Sequence, residues 1–553
     1  MSYKLFNKEV KGRFGFPSGV IATNSDTAIW MLNQVREIGF YIGKSTTIEP
    51  KEGNPEDIFL LSDLNTGVNA VGYANLGLKE MIKSFHEIKE GSNQYTFLMP
   101  QIGESDEERF EYCVSEFDKT GVDGIELNVS CPHAKAGGIL IGSDPKMVAS
   151  IVKACRKATK KPLVVKLNAG VEDIKSIALA AIDAGANGLS AINTLGGFNP
   201  ELYNEFGGLS GPTIFPITLD TVKRLRKVTK VPMIVMGGIQ TNSDIKKLDE
   251  IDPNFFYAIG TSLAQLDSKE IQLFFTALES NIKVTLSKEI KPYKPFVVKE
   301  IIERGKDIRI IKFYQNLKSK PGQFVFLKVD NKHSKPFSVA NDLYGLEILV
   351  RRTKDKEGKF GETTKKLFEL KENSVVRIKG PYGKPFELHE KTIYVGAGCG
   401  IGAVHHASLY NTSEKIFVIG AKTGEELSYI EEMKKMGTVY TVTEDGTGGM
   451  AQGMLPNYLT RVILSLEDID NINFFCCGPE KMLEKVDVIA RSVTSPDKIF
   501  HLVERMTSCG EGICGKCSIP NGKRACVDGP VFTSTEFCPG MYVRDKTGKK
   551  ITL

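Results

Sequence analysis

The chain has 553 residues, of which 41% are hydrophobic and 25% charged, and its formal net charge is +5. These ordinary globular proportions and this length predict several folded domains and disfavour a disordered or collagen-like chain. The basic residues are spread along the sequence, so nucleic acid is not indicated as a partner. No apolar run approaches the roughly 18 residues of a membrane span, and the first residues lack the apolar core of a secretory signal. We therefore expect a cytoplasmic protein with reduced thiols and no membrane partner.

Short apolar runs alternate with amphipathic stretches from Pro17 to about Leu266. The runs of strand type are SGVIA (18–22), FYIGK (40–44), YTFLMPQI (95–102), GIELNVS (124–130), LVVKLN (163–168), GLSAIN (188–193), PMIVMGG (232–238) and FYAIG (256–260). Helical patterns, such as those at 144–159 and 174–186, lie between several of them. Eight strands with interposed helices predict an α/β fold, a (β/α)8 TIM barrel over 1–286, with a doubly wound open sheet as the alternative.

Polar residues and glycines recur at the carboxyl ends of these strands. Lys44 and Lys166 end two of the strands, and an unpaired charge in a protein core is costly. Because such strand ends meet at one mouth of a barrel, the two lysines together predict an anionic ligand. A lysine that simply reaches solvent is the alternative for each alone. Glycines that would let backbone amides approach a phosphate, as in bound FMN, are Gly207, Gly208, Gly211, Gly237, Gly238 and Gly260.

Eight motifs stand in a characteristic order in this half of the chain. They are KSTT (44–47), GNP (53–55), NAVGY (69–73), ELNVSCPH (126–133), VVKL (164–167), INTLGG (192–197), GGLSGP (207–212) and MGGI (236–239). Their order and spacing resemble class 1 dihydroorotate dehydrogenase, which implies an FMN-binding barrel with Cys131 as the general base. The resemblance implies substrate contacts from Lys44, Asn69, Val71, Gly72, Tyr73, Asn128, His133, Asn193 and Thr194. It implies FMN contacts from Ser18, Gly19, Lys44, Asn128, Lys166, Ile192, Gly211, Gly237, Gly238, Gly260 and Thr261.

These residue types suit the oxidation of a dihydropyrimidine, which gives a hydride to the flavin and a proton to a base. A thiol can be that base where a neighbouring lysine favours the thiolate, and a buried structural thiol is the alternative for Cys131. Two positions depart from the family pattern: His133 follows SCP where asparagine is usual, and Tyr73 stands where leucine is usual. The SCPH form resembles dihydropyrimidine dehydrogenase, so action on uracil or thymine is the alternative activity.

The pattern changes after a stretch rich in proline and lysine at 287–296. Runs rich in β-forming residues follow at 296–303, 308–314, 323–329, 346–352 and 374–383, and they predict a small antiparallel barrel over 291–388. From 391 onward, apolar strands alternate with helices and predict an α/β nucleotide-binding domain over 389–497. The glycine run VGAGCGIG (395–402) is not a strict G-x-G-x-x-G, so by itself it is a weak signal.

Four cysteines near the C-terminal end have a distinctive spacing: Cys509, Cys514, Cys517 and Cys526. Their C-x4-C-x2-C opening is the plant-type pattern for a [2Fe–2S] cluster, and the intervening glycines let the backbone curl around such a core. Zinc is the main alternative, but structural zinc sites usually pair two short knuckles. A disulfide reading would need an oxidising compartment. The spacing predicts a [2Fe–2S] domain over 498–553.

Further motifs mark the second half of the chain. They are KPFSV (335–339), GETT (361–364), GPYGKPF (380–386), VGAGCGIG (395–402), CCGPEKM (476–482) and ERMTSCGEGICGKC (504–517). Together with the domain order, they resemble the electron-transfer subunit of class 1B dihydroorotate dehydrogenase. The resemblance implies FAD contacts from Lys335, Pro336, Phe337, Ser338, Gly361, Thr363 and Thr364, with Lys335 in place of the family's arginine. It implies NAD contacts from Gly396, Gly398, Gly400, Cys477, Gly478 and Pro479.

The two resemblances together imply one chain that does what is usually divided between two subunits. Dihydroorotate would be oxidised to orotate in pyrimidine biosynthesis, with electrons passing from FMN to the [2Fe–2S] cluster, to FAD and to NAD+. Related barrels usually dimerise, so a homodimer through the barrel is expected. A non-catalytic electron-transfer fusion is the third hypothesis, and the sequence does not distinguish NAD from NADP.

Overall fold

The computed structural model describes residues 3–21, 24–54, 57–129, 138–203, 205–280, 282, 288–330, 333–354, 358–467, 469, 472–537, 543–544 and 550–551. These residues form two compact units. The first contains the chain up to Ile290 and also Glu511–Ser518, and the second contains Lys291–Gly510 and Ile519–Val543. Part of the cysteine-rich segment therefore belongs to the first unit, whereas the predicted domain boundary at 498 stays a prediction.

The first unit alternates strands and helices. Its strands are β1 (Tyr3–Leu5), β2 (Lys8–Val10), β3 (Phe14–Phe16), β4 (Ile38–Thr46), β5 (Phe59–Ser62), β6 (Thr66–Asn69), β7 (Phe97–Ile102), β8 (Ile125–Asn128), β9 (Leu163–Leu167), β10 (Gly188–Ala191), β11 (Leu195–Phe198), β12 (Phe206–Ser210), β13 (Met233–Met236) and β14 (Phe256–Ala258). Its helices are α1 (Ser25–Gln34), α2 (Leu78–Gly91), α3 (Glu107–Asp118), α4 (Gly138–Ser143), α5 (Pro145–Ala158), α6 (Ile174–Asp183), α7 (Phe215–Arg226), α8 (Asn242–Asp249) and α9 (Ser268–Ser280).

Eight parallel strands close into a barrel, in the chain order β3, β4, β7, β8, β9, β10, β13 and β14. The predicted TIM barrel is therefore confirmed, and the open sheet is wrong. Phe40, Phe97 and Ile234 pack in the barrel interior, and Leu5 and Val10 of the β1–β2 hairpin belong to the same core. Burial on both sides explains why these strands have continuous apolar runs rather than alternating ones.

The first barrel strand was placed too late by the sequence pattern. We predicted a strand at 18–22, but the strand is β3 (Phe14–Phe16), and the residues after it form a turn in which Val20 N–H donates to the Pro17 carbonyl at 3.2 Å. Gly19 has a φ of +89°, a backbone conformation that a strand does not use. The predicted helices at 144–159 and 174–186 are confirmed as α5 and α6.

A four-stranded antiparallel sheet, in the order β11-β12-β6-β5, was not predicted. Its strands come from the connections that follow β4 and β10. Glycines fill the β11–β12 pairing, where Gly196 lies opposite Gly208 and Gly197 opposite Gly207. Because glycine is unfavourable in strand interiors, the residue pattern did not indicate this sheet. The sheet carries Asn69, one of the predicted substrate contacts, at the end of β6.

The second unit begins with the predicted small barrel, which is confirmed as a closed six-stranded antiparallel barrel. Its strands are β15 (Lys294–Arg304), β16 (Ile308–Phe313), β17 (Phe324–Lys328), β18 (Ser334–Asn341), β19 (Glu347–Arg351) and β20 (Val375–Tyr382), and α10 (Glu362–Leu367) lies between the last two. Phe296, Val325 and Ile348 are among its core residues.

A seven-stranded sheet follows in the same unit, in the order β24-β23-β22-β21-β25-β26-β27. Its strands are β21 (Thr392–Ala397), β22 (Lys415–Ala421), β23 (Thr438–Thr443), β24 (Ala451–Gln452), β25 (Asn473–Cys477), β26 (Ile499–Leu502) and β27 (Val531–Thr533). The helices are α11 (Gly400–Leu409), α12 (Ile430–Lys434), α13 (Leu455–Leu464) and α14 (Glu480–Arg491). The last two strands, β28 (Val543–Arg544) and β29 (Lys550–Ile551), form a separate two-stranded sheet. The strand order reverses at β21, and such a switch point is where α/β sheets bind nucleotides. Within the described ranges, no helix has both the length and the apolar character that crossing a bilayer requires.

Candidate active site and cofactor sites

A cavity of about 1040 Å³ opens at the carboxyl ends of the barrel strands in the first unit. It collects every described residue that we predicted for substrate or FMN: Ser18, Gly19, Lys44, Asn69, Val71, Gly72, Tyr73, Asn128, Lys166, Ile192, Asn193, Thr194, Gly211, Gly237, Gly238, Gly260 and Thr261. Cys131 and His133 lie outside the described residues. The roles of all these residues stay predictions, but one cavity of suitable size brings the described ones together.

Two buried lysines face this cavity. Lys44 and Lys166 are 8% and 6% exposed. Burial lowers the pKa of Lys44 to about 8, the nearby Lys516 acts in the same direction, and Cys514 opposes both. Burial also lowers the pKa of Lys166, and Glu126 opposes that effect. Two partly desolvated cations beside one cavity favour an anionic occupant, which fits FMN and a carboxylated ring.

Amide side chains line the same cavity. Asn69 Nδ2 donates to the Gly208 carbonyl at 2.9 Å, and Asn193 Nδ2 donates to Asn128 Oδ1 at 3.3 Å. Asn128 Nδ2 in turn lies 3.1 Å from the hydroxyl of Tyr73, the residue that departs from the family's leucine. An amide both donates and accepts, so this wall is suited to a ring that has carbonyl and N–H groups.

The backbone between β13 and α8 leaves no room for side chains at two glycines. Gly237 and Gly238 have φ values of +119° and +80°. A Cβ on Gly238 would stand 2.7 Å from both the Gly211 carbonyl oxygen and the Phe215 backbone nitrogen. Gly211 itself has a φ of +98°. This close approach of backbone segments is the kind of cradle that a phosphate requires.

Substituting Gly238 with alanine is expected to release FMN and to destabilise the first unit by at least about 2 kcal/mol, because the positive φ and the backbone clash add. Flavin retained after dialysis and denaturant unfolding measure the two effects. Gly196→Ala is the matched control, since a Cβ there meets nothing within 4 Å. The proposed phosphate cradle would be contradicted if Gly238→Ala kept the flavin content and the unfolding free energy of the unsubstituted protein.

Several cavity residues were missed by the sequence reasoning. Gln101 and Ser45 line the cavity from β7 and β4, and Phe198 and Phe206 line it from the unpredicted sheet. Gln101 is a polar residue next to the last position of β7, as Lys166 is in β9, so its position carried the signal that singled out Lys166. Nothing in the local pattern of LGGF or FGGLS indicated a site, because those strands themselves were not recognised.

The cysteine-rich segment Glu511–Ser518 is packed on the barrel within the first unit. Ile21 N–H donates to the Ile513 carbonyl at 2.8 Å, and Gln265 N–H donates to the Glu511 carbonyl at 2.8 Å. Asn24, the N-cap of α1, is 2% exposed and donates to the Gly515 carbonyl at 2.6 Å. Through these bonds Cys514 comes to line the same cavity as the two lysines. We did not predict this juxtaposition.

The four predicted cluster ligands are buried: Cys509, Cys514, Cys517 and Cys526 are 1%, 7%, 1% and 2% exposed. Gly510, Gly512 and Gly515 between them have φ values of +74°, +71° and +74°, which other residues rarely adopt. Among the described residues, no group of three or more histidine, cysteine or acidic side chains is gathered as a metal site. The donor set of four buried thiols nevertheless fits an iron–sulfur cluster, on burial, loop conformation and spacing.

The predicted FAD residues lie on two neighbouring elements of the small barrel. Lys335, Pro336, Phe337 and Ser338 are half-buried on β18. The ammonium of Lys335 is 3.7 Å from the position that a Cβ on Gly361 would take, which brings the KPFSV and GETT motifs together. Thr363 and Thr364 are buried in the helix that follows Gly361. The cation and the start of that helix suit a pyrophosphate.

The predicted NAD residues meet at the carboxyl edge of the seven-stranded sheet. Gly396 on β21 pairs with Cys477 on β25. A Cβ on Gly400 would stand 2.4 Å from the Cys477 carbonyl oxygen, so only glycine allows this approach. Gly398 and Gly478 have φ values of +58° and +157°, and Pro479 precedes α14. These residues occupy the switch point of the sheet, where dinucleotides bind.

Comparison with known families matches three parts of the chain. The dihydroorotate dehydrogenase model matches residues 1–265, the oxidoreductase FAD-binding domain matches 295–386, and the iron–sulfur cluster binding domain of dihydroorotate dehydrogenase B matches 504–538. The fold and these matches define an oxidoreductase that combines a TIM barrel, an FAD-binding domain and an iron–sulfur domain.

Curated relatives agree with the barrel match. The catalytic subunit of dihydroorotate dehydrogenase B (NAD(+)) from Pelobacter propionicus is 34% identical over 44% of this chain and 81% of its own length. Those from Oceanobacillus iheyensis and Alkaliphilus metalliredigens are 36% and 35% identical, over 38% and 44% of this chain and 70% and 82% of their own lengths. The chain belongs to the dihydroorotate dehydrogenase family.

Proposed function

We propose that the chain oxidises dihydroorotate to orotate and passes the electrons to NAD+. The observation that carries this proposal is the single cavity in which two buried cations, Lys44 and Lys166, accompany the amides of Asn69, Asn128 and Asn193. The cations match the phosphate of a flavin and the carboxylate of the substrate. The amides match the carbonyl and N–H groups of its ring. Uracil, which has no carboxylate, would leave more of this charge without a counterpart.

The loop after β6 suits the carboxylate of the substrate. Gly72 has a φ of +67°, and a Cβ there would stand 2.5 Å from the Asn54 backbone nitrogen. The backbone at Gly72 therefore approaches the Asn54 segment closely at the cavity wall, and the Asn54 N–H fixes the turn by donating to the Val71 carbonyl at 3.1 Å. Lys44 would supply the charge, and Asn69 and Asn193 would bind the ring from the sides of the antiparallel sheet and of β10.

Proton removal is assigned in this proposal to Cys131, from the family motif, and that residue lies outside the described residues. The base must act from the side of the ring that the flavin does not occupy. When bound, FMN, the [2Fe–2S] cluster and FAD would supply the redox chemistry that links the two-electron oxidation of the substrate to the reduction of NAD+. Residues around Lys335 and Gly361 would hold FAD, and those around Gly396 and Cys477 would hold NAD+.

Two parts of the proposal rest on relatives rather than on the cavity. NAD+ rather than NADP+ is proposed as the acceptor because the names of the similar catalytic subunits specify NAD(+). A homodimer that forms through the barrel is proposed because related barrels usually dimerise.

The decisive experiment compares dihydroorotate with dihydrouracil as reductant of the full chain, with NADH formation as the readout. We expect dihydroorotate to be favoured by at least about 100-fold in kcat/KM, because a site with buried cations discriminates against a ligand that lacks the matching anion. Preference for dihydrouracil would replace the proposal with dihydropyrimidine dehydrogenase, the activity that the SCPH motif with His133 favours. Flavin absorbance that stays unchanged after anaerobic addition of dihydroorotate and, separately, of dihydrouracil would reject both activities.

A further inference from the structure

Glu126 is a fully buried carboxylate beneath the cavity, on β8, and the proposed reaction does not use it. It is 0% exposed, and it accepts hydrogen bonds from Gln101 Nε2 and, at 2.6 Å, from Ser190 Oγ. These partners come from the neighbouring strand β7 and from β10 across β9. A buried carboxylate is costly unless it is paired and hydrogen-bonded, so its position in this barrel requires an explanation.

A chain of amides connects this carboxylate to the cavity wall. Gln101 donates to Glu126 through its Nε2. Gln101 Oε1 accepts from Asn128 Nδ2 at 3.4 Å. Asn128 Oδ1 accepts from Asn193 Nδ2 at 3.3 Å. Asn193 Oδ1 accepts from the backbone N–H of Thr194 at 3.0 Å. Each amide in this chain therefore points its NH2 group towards Glu126 and its oxygen towards the other end.

Both ends of the chain impose that direction. An ionised carboxylate can only accept, so Gln101 must present its NH2 group to Glu126. A backbone N–H can only donate, so Asn193 must present its oxygen to Thr194. An asparagine or glutamine between neutral partners could turn over with little change in shape, exchanging a donor for an acceptor. Here the two fixed ends leave Asn128 and Asn193 a single orientation.

We propose that Glu126 is a positioning residue that fixes the donor and acceptor directions of the Asn128 and Asn193 amides, and so determines which ring edge the cavity accepts. The neighbouring Lys166 gives Glu126 a second role, since the carboxylate's attraction opposes the effect of burial on that ammonium. The carboxylate thus supports both the cation and the amide pattern presented to the ligand. This inference rests on the proposed function only for the identity of the ligand, a carboxylated pyrimidine.

The test is the binding of orotate to the flavin-loaded full chain, measured by the perturbation of flavin absorbance. Glu126→Gln keeps the shape but can donate as well as accept, so the chain of amides loses its imposed direction. We expect the orotate dissociation constant to rise at least about tenfold, which corresponds to about 1.4 kcal/mol. KM for dihydroorotate is expected to rise by a similar factor, while thermal unfolding stays close to that of the unsubstituted chain.

The matched control is Glu104→Gln. Glu104 is also a buried carboxylate of the first unit, 4% exposed, but its partners are Arg109 and the Ile48 backbone N–H, and it does not line the cavity. Orotate affinity is expected to stay unchanged in this variant. Glu126→Asp, which restores the charge, is expected to recover part of the affinity that Glu126→Gln loses.

Gln101→Met provides a second test in case Glu126→Gln does not fold. It interrupts the chain of amides between the carboxylate and Asn128, and the same tenfold loss of orotate affinity is expected. Unchanged orotate affinity in a folded, flavin-loaded Glu126→Gln or Gln101→Met protein would overturn the inference. Failure of the unsubstituted protein to bind orotate would instead reject the proposed function, so the two failures are distinguishable.

Discussion

Replacing Cys131 with alanine is expected to slow the reduction of flavin by dihydroorotate by about 10²–10⁴-fold, the range for loss of a general base. The substrate would still bind, since the lysines and amides of the cavity remain. Anaerobic stopped-flow mixing with dihydroorotate measures the rate directly from flavin absorbance. The fused second unit gives an internal reference, because oxidation of NADH by an artificial dye should proceed at the unsubstituted rate in the same preparation.

Cys113→Ala is the matched control for this substitution. Cys113 is also in the first unit and is 0% exposed, and burial raises the pKa of its thiol to about 12. A thiol in that environment is suited to packing and not to proton abstraction. We expect dihydroorotate to reduce the flavin of Cys113→Ala at the normal rate. Equal rates in the two variants would remove Cys131 as the base.

Replacing Cys514 with serine is expected to abolish electron delivery to NAD+ while leaving reduction of the barrel's flavin by dihydroorotate intact. A [2Fe–2S] cluster is held by four thiolates, so one hydroxyl in their place should lower bound iron well below the roughly two per chain of a loaded cluster. Iron analysis and NADH formation measure the two consequences. An artificial acceptor that takes electrons from the barrel should still support turnover.

Cys526→Ser separates the role of the cluster from that of the cavity wall. Cys526 belongs to the same cysteine pattern but does not line the barrel cavity, whereas Cys514 does. Both variants are expected to lose iron and NAD+ reduction, and any change in orotate affinity should be confined to Cys514→Ser. Full iron content in both variants, or zinc in place of iron, would contradict the cluster.

The chemistry-bearing residues of the barrel could be predicted from sequence because a parallel barrel has a simple rule. Each strand is an apolar run, and the residue that ends it faces the common mouth. Lys44 and Lys166 were found by that rule, and the structure brings both to one cavity. For the glycines at the switch point of the second unit's sheet, the local pattern was only a weak signal. Their predicted role depended on the resemblance to a known family.

The sequence alone did not indicate the antiparallel sheet at the mouth, the anchoring of Glu511–Ser518 on the barrel or the amide chain that begins at Glu126. Each depends on contacts between residues far apart in the chain, such as Asn24 with Gly515. Strand and helix periodicity describes only neighbours along the chain, so it carries no information about such pairs. The sequence determined which groups are available for catalysis and electron transfer. The tertiary structure alone decided that the Cys514 loop borders the barrel cavity and that the buried Glu126 stands at one end of a chain of hydrogen-bonded amides, because both depend on which residues are neighbours in space.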